Sequence, residues 1–230
     1  MTDSGICIYE HKQFRIIAIH NAPIDEVTYI VADRAHEECI VIDASNSDML
    51  LQVLSDLSLI PSMVLLTHEH IDHINAVNAL VERYQVRILC QEMCAANIKD
   101  SRKNLAAFLE ALLEFHGYKD SSRYASFKSY RILSPAETYK DELSFDWHGI
   151  SITLKAMPGH SAGGTSIQIG DALFTGDNLL ANVKTCTVLP GGSKKAFLEV
   201  TAPLLKAYPS DLKVYPGHGK SFLLCDGNWQ

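Results

Sequence analysis

The chain has 230 residues, enough for one well-buried domain and short for two. Its 47% hydrophobic and 20% charged residues are ordinary for a globular protein, and no apolar run approaches the ~20 residues of a membrane-spanning helix. A formal charge of −7 argues against a nucleic-acid backbone as the main partner, since such proteins usually carry a basic surface. Residues 1–10 have neither the basic start nor the apolar stretch of a secretory signal, so a cytoplasmic location is expected, with no membrane partner.

Apolar runs bounded by turn residues predict strands at 14–19, 27–31 and 39–42. In 47–59, Met49, Leu50, Val53, Leu54 and Leu57 recur at helical spacing, and Pro61 stops the run. Strands at 63–67 and 86–90 then flank a second helix, with Ile74, Val77, Val81 and Tyr84 on one face. A helical insertion occupies about 91–141. Within it Leu105, Phe108, Leu109, Leu112, Leu113 and His116 follow the i, i+3, i+4 pattern, with Ser101 as candidate N-cap and Gly117 beyond the end. This segment reads as a helix packed on a sheet; a lid over a site or a homodimer contact are the alternatives. Tyr118, Tyr124 and Tyr130 are pocket candidates or plain packing residues. Further strands are expected at 150–157, 165–169, 172–175 and 213–215, and a third helix at 193–208 after Pro190-Gly191-Gly192. The alternation, with some consecutive strands, is that of an α/β fold. With no internal repeat or clear linker, 1–230 is read as a single domain.

The six cysteines (Cys7, Cys39, Cys90, Cys94, Cys186, Cys225) show no disulfide-framework spacing, and no second Cys/His pair completes a structural zinc site beside Cys90 and Cys94. Reduced thiols packed as small apolar residues are expected.

Four short motifs hold seven ligand-type side chains. Thr67-His68-Glu69-His70-Ile71-Asp72-His73 is followed by His160 in Pro158-Gly159-His160-Ser161, Asp177 in Phe174-Thr175-Gly176-Asp177, and His218 in Tyr215-Pro216-Gly217-His218-Gly219. Each follows a predicted strand and a turn, and in α/β folds strand ends are where ligands distant in sequence can meet. In an extended turn His68 and His70 point to one side, and a helix beginning after them lets Asp72 and His73 address a neighbouring point. Taken singly, a histidine after a strand or an aspartate in a Gly-Asp turn is ordinary; the whole ordered set points to metal-assisted hydrolysis. Imidazole and carboxylate ligands suit zinc and tolerate iron or manganese.

These motifs resemble the metallo-β-lactamase-fold hydrolases, and within them the glyoxalase II-like (hydroxyacylglutathione hydrolase-like) branch, over about Phe14 to Lys220. The resemblance implies a four-layer αββα sandwich with two divalent metal ions at one edge between the sheets. It implies that His68, His70 and His160 hold one ion, that Asp72, His73 and His218 hold the other, and that Asp177 bridges them. Asp43, closing the strand 39–42, matches the family's first motif, an aspartate that orients the ligand loop. The short tail after His218 leaves no room for the glutathione-binding helical domain of glyoxalase II, so the substrate does not carry over. The bridging aspartate separates the chain from true β-lactamases.

The reaction expected from this set is attack of a metal-bridging hydroxide on a small thioester or ester, since metal binding lowers the pKa of water from 15.7 to roughly 7. Asp72 and Asp177 are the catalytic candidates, and Asp72 or a bound water is the source of any acid assistance. Lys184, Lys194 and Lys195 are candidates to pair with an anionic substrate tail, or are solvated lysines. The competing readings are a lactone hydrolase and a mononuclear iron persulfide dioxygenase. In the latter His68, His160 and Asp177 would hold one iron.

Overall fold

In the computed structural model, residues 5–22, 24–115, 117, 130, 132, 134 and 136–227 are described. The first sheet takes its strands in sequence order: β1 (Ile6–Glu10), β2 (Phe14–Asn21), β3 (Glu26–Asp33), β4 (Glu38–Ile42), β5 (Ile60–Leu65), β6 (Arg87–Gln91) and β7 (Glu137–Tyr139). Its first four strands pair antiparallel, and β4 to β7 pair parallel. Parallel neighbours need crossovers. These are α1 (Ser47–Asp56) between β4 and β5, and α2 (Ile71–Ile74) with α3 (Val77–Tyr84) between β5 and β6. Between β6 and β7 lie α4 (Glu92–Asn97), a 3₁₀ turn (Ala106–Phe108) and α5 (Leu109–Phe115).

The second sheet comprises β8 (Glu142–Trp147), β9 (Ile150–Ala156), β10 (Thr165–Ile169), β11 (Ala172–Gly176), β12 (Lys213–Pro216) and β13 (Phe222–Leu223), in the order β13-β12-β11-β10-β9-β8. Only β11 and β12 pair parallel among its described strands; α6 (Lys194–Ala196), a π turn (Phe197–Thr201) and α7 (Ala202–Lys206) connect them.

Side-chain alternation separates the layers. On β2, Phe14, Ile16 and Ala18 join the core between the sheets, while Ile17 and Ile19 join the core under the first helical layer. The same division runs through Tyr29 and Val31 against Ile30 and Ala32, and through Ile40 and Ile42 against Cys39 and Val41. From the second sheet Ile152, Leu154, Ile167 and Phe174 face the first. Leu173 and Val214 turn away, to pack with Leu205 of α7. Three apolar cores between four layers make the expected αββα sandwich. Each fully buried Val, Leu or Ile contributes about 1.5–3 kcal/mol of transfer free energy, so the inter-sheet core is a large part of the stabilisation.

The helices depart from the sequence pattern where a backbone group is claimed by another partner. The expected helix over 71–84 is broken, because the N–H of Ala44 takes the His73 carbonyl (2.7 Å) and the carbonyl of Ala44 takes the Ala76 N–H (2.9 Å). The helix expected from Ser101 starts later. Leu105 is left-handed (φ 66), and Asn104 Oδ1 accepts the Ala106 N–H at 2.9 Å, so Ser101 is not its cap. His116, Tyr118 and Tyr124 lie outside the described residues. In the third helix Pro203 has no N–H for the Glu199 carbonyl, and the backbone widens there into the π turn. Strands β1, β7, β8 and β13 were not expected from the pattern. All six cysteines are free, and no helix of the described residues is long and apolar enough to cross a membrane.

Ile152→Ala, at a fully buried site between the sheets, is expected to lower unfolding free energy by about 2–5 kcal/mol in urea titration. The same truncation at Ile8, 53% exposed, should stay within about 0.5 kcal/mol.

Candidate metal centre

Six of the seven motif side chains fall into two groups at the ends of strands, and Asp177 reaches both. His68 and His70 sit between β5 and α2, and His160 between β9 and β10. Their facing atoms are His68 Nε2, His70 Nδ1 and His160 Nε2, with Nδ1 of His70 3.1 Å from the first and 3.0 Å from the second. The tautomers follow from the far side of each ring. Thr67 Oγ1 donates to Asp43 Oδ2 (2.7 Å) and therefore accepts from His68 Nδ1 (3.0 Å). His160 Nδ1 donates to the carbonyl of Cys186 at 2.8 Å. Both rings thus turn an Nε2 lone pair toward His70. Lone pairs held this close suit a shared cation.

The second group is Asp72, His73 and His218. His73 Nδ1 donates to Asp43 Oδ2 (2.8 Å) and His218 Nδ1 to the carbonyl of Ile24 (3.0 Å), so these rings also present Nε2. Asp72 Oδ2 lies 3.7 Å from His73 Nε2 and 3.5 Å from His218 Nε2. Asp177 stands between the groups: Oδ1 is 3.5 Å from His73 Nε2, and Oδ2 is 3.5 Å from His160 Nε2 and 3.4 Å from His218 Nε2.

Burial and charge set different proton states. Burial pushes His68 well below the usual imidazole value, with His73 and His70 adding to the effect, and pushes His70 down to about 3. Burial also opposes charge on His73 and His218, but carboxylates outweigh it. Asp72, Asp43 and Asp177 hold His73 up at about 10, and Asp177 with Asp72 holds His218 well above its ordinary value. Reciprocally, those histidines keep Asp72 and Asp177 below the usual carboxylate range against the penalty of burial.

Several supporting groups gave no signal in the motifs. Glu69, fully buried, turns away from the ligands and accepts from Asn97 Nδ2 (2.9 Å) and Ser161 Oγ (3.0 Å), tying the first histidine loop to α4 and to the loop of His160. Buried Glu26, pushed up to about 8 by burial, accepts from Asn21 Nδ2 at 2.8 Å and lies 3.9 Å from His73 Nδ1. The turn carrying His218 is clamped to the first sheet through Val27 N–H to the Gly217 carbonyl (2.8 Å) and Tyr29 Oη to the Pro216 carbonyl (2.7 Å). At Gly217 any side chain would collide with Asp177 Oδ1 and with His73 Cε1.

A cavity of about 420 Å³ opens over the two groups, lined by His70, Asp72, His160, Asp177 and His218 together with Ile24, Ile71, Leu105, Leu109, Leu112, Leu113 and Leu189. Lys184, Lys194 and Lys195 are exposed and are not among the residues that line it. Tyr130 donates to the Ile74 carbonyl (2.7 Å) and is likewise not a lining residue.

The residues fit divalent ions. His73 Nε2 and Asp177 Oδ1 are buried, face each other, and have no hydrogen-bond partner among the described residues; the same holds for His70 Nε2. Leaving a buried polar atom unpaired costs about 1–3 kcal/mol, and a cation between the first two atoms would satisfy both.

The family model of the metallo-beta-lactamase superfamily matches residues 23–218. A probable polyketide biosynthesis zinc-dependent hydrolase of Bacillus velezensis is 27% identical over 191 residues, 83% of this chain and 71% of that one. A hydroxyacylglutathione hydrolase of Psychromonas ingrahamii is 26% identical over 195 residues, covering 84% of this chain and 61% of that protein. Among solved structures, the BLEG-1 B3 metallo-beta-lactamase superposes with a TM-score of 0.73 at 23% identity, over 91% of this chain and 94% of that one. At that identity the likeness carries the fold.

Metal ligands must be deprotonated, so filling the second group at pH 7 should displace protons from His73, held at about 10, and from His218. Calorimetric zinc titration in buffers of different ionisation enthalpy is expected to show at least about two protons released per chain, with apparent affinity rising with pH. Asp43→Asn, which weakens the hold on His73 and Thr67, should reduce metal affinity by about 10–100-fold in competition with a chelator.

Proposed function

The chain belongs to the metallo-beta-lactamase superfamily, whose members are in general metal-dependent hydrolases, and we propose that it is a dinuclear hydrolase of a small thioester or ester. One observation carries this reading. Every polar side chain lining the cavity, among the described residues, is a candidate metal ligand, and no serine, cysteine, threonine or lysine stands there to act as a covalent nucleophile. With the lining aspartates and histidines taken up as metal ligands, the attacking oxygen in this reading comes from water. The zinc-dependent hydrolase and the hydroxyacylglutathione hydrolase among the relatives support the choice of metal and of a thioester.

In this reading His68, His70 and His160 would hold one ion and Asp72, His73 and His218 the other, with Asp177 within reach of both groups. Divalent ions supply Lewis acidity there and bring the pKa of water from 15.7 to roughly 7. The protein keeps four imidazoles in one tautomer through Thr67, Asp43 and the carbonyls of Cys186 and Ile24. Asp72, at the cavity wall and only partly buried, is placed to take up or return a proton at its carboxylate. A thiolate leaves readily, which suits a site with no separate acid lining it. A cavity of about 420 Å³ fits a small molecule.

Elemental analysis of protein purified without added metal should give near two equivalents of zinc, iron or manganese per chain, with cleavage of members of a thioester panel by the same sample. Asp177→Ala should cost at least the roughly 10–100-fold that follows loss of a residue supporting a metal site. One iron per chain, no hydrolysis and oxygen uptake with a persulfide would overturn the proposal in favour of a dioxygenase.

A further inference from the structure

We propose that the cavity selects thioesters with an aliphatic acyl chain, seated on a leucine wall. The inference rests on the hydrolase reading above and extends it to the substrate.

The wall is built by one segment. Leu109 and Leu113 are buried one helical turn apart on α5, buried Leu105 precedes the 3₁₀ turn before it, and all three line the cavity with Leu112 beside them. Ile24, from the turn between β2 and β3, and Leu189, from the loop between β11 and α6, contribute further apolar lining. Away from the ligand floor, no hydroxyl, amide or ammonium group is among the described lining residues. A polar acyl group would find no partner there, whereas a methylene chain loses its contact with water at every step.

A second observation is independent of the lining. Leu105 adopts a left-handed backbone (φ 66), which an L-residue with a branched side chain rarely occupies, and it does so immediately before the 3₁₀ turn that leads into α5. The conformation is over-determined by its neighbour: Asn104 donates through Nδ2 to the Ile98 carbonyl (3.0 Å), accepts the Ala106 N–H, and offers its backbone carbonyl to the Ile71 N–H (2.8 Å). Ile71 itself lies in the histidine-rich motif and also lines the cavity. The strained leucine is thus locked to the loop that carries the ligands, an outlier placed where a binding surface needs it. Apolar surface also continues next to the wall in sequence: Phe108 is 42% exposed beside Leu109, and Val188 is 88% exposed beside Leu189.

In the reaction the acyl C–S bond breaks as a water oxygen bonds the carbonyl carbon, giving an alkanoate, a free thiol and one proton.

The test uses the zinc-loaded full chain with N-acetylcysteamine thioesters of acetyl, butanoyl, hexanoyl and octanoyl groups. The matching alkanoates are titrated calorimetrically as a readout separate from turnover. Both kcat/KM and alkanoate affinity are expected to rise about three- to fourfold per added methylene until the cavity is filled. Leu112→Ser and Leu189→Ser, at two partly exposed positions on separate segments, should each flatten both slopes. Cleavage of the whole series with no chain-length slope would overturn the acyl proposal and leave the hydrolase reading standing. If nothing is cleaved but alkanoate affinity climbs with length and either variant flattens it, the hydrolase reading falls and the aliphatic subsite stands. Flat alkanoate binding, or a slope that neither variant changes, overturns the subsite.

Discussion

A carboxylate taken out of water must be paired on several sides, and at Asp43 this requirement organises the rest of the molecule. One side chain, 2% exposed, accepts the Thr67 N–H at 2.8 Å, the Thr67 hydroxyl at 2.7 Å and the His73 Nδ1–H at 2.8 Å. Thr67 then fixes the ring of His68, so a single acid orients one imidazole in each group. Asp43 is itself left-handed (φ 51) at the end of β4, a conformation that aspartate tolerates better than most residues. The cost of that backbone is offset by three charge-assisted hydrogen bonds.

Around this acid the two sheets divide the work. The first contributes His68, His70, Asp72 and His73 from the connection after β5, and the second contributes His160, Asp177 and His218 from three separate loops. Their relative positions are held by groups that do not face the candidate metal centre. Glu69 joins the loops of His70 and His160, and the start of β3 clamps the turn of His218. The electrostatics are unequal as a result. His68 and His70 are kept neutral by burial, while the other group is a compact set of opposite charges. The leucine wall sits over both and is positioned by the same ligand loop through Ile71.

Much of this was legible in the chain because it depends on local patterns. Strands 14–19, 27–31 and 39–42 alternate or run apolar over their whole length, and each lies within an observed strand. The ligand motifs declare themselves because His-x-His-x-Asp-His after a strand has few other uses. What stayed hidden depends on contacts across the fold. Glu69 and Glu26 look like solvent-facing acids until burial gives them partners. The carbonyls of Ile24 and Cys186 orient two histidines through backbone atoms, for which no residue type is diagnostic. β8 alternates Leu143, Phe145 and Trp147 with Glu142, Ser144 and Asp146, a pattern too short and too polar at one face to stand out at a sheet edge. The stripe from Leu105 to Leu113 reads as an ordinary packing face, and whether it meets a sheet or an open cavity is decided by tertiary structure.

The ligands' dispersal along the chain has a consequence for folding. His70 and His160 are 90 residues apart, and Ile24 and His218 are 194 apart, yet each pair must meet before its own group is in place. Contacts of that span form late, because loop closure must be accomplished before it is rewarded. The unfolded chain therefore offers the local trio His68, His70 and His73 but no finished centre. The complete candidate centre exists only once the two sheets have docked, on a topology that hydrophobic burial has already chosen.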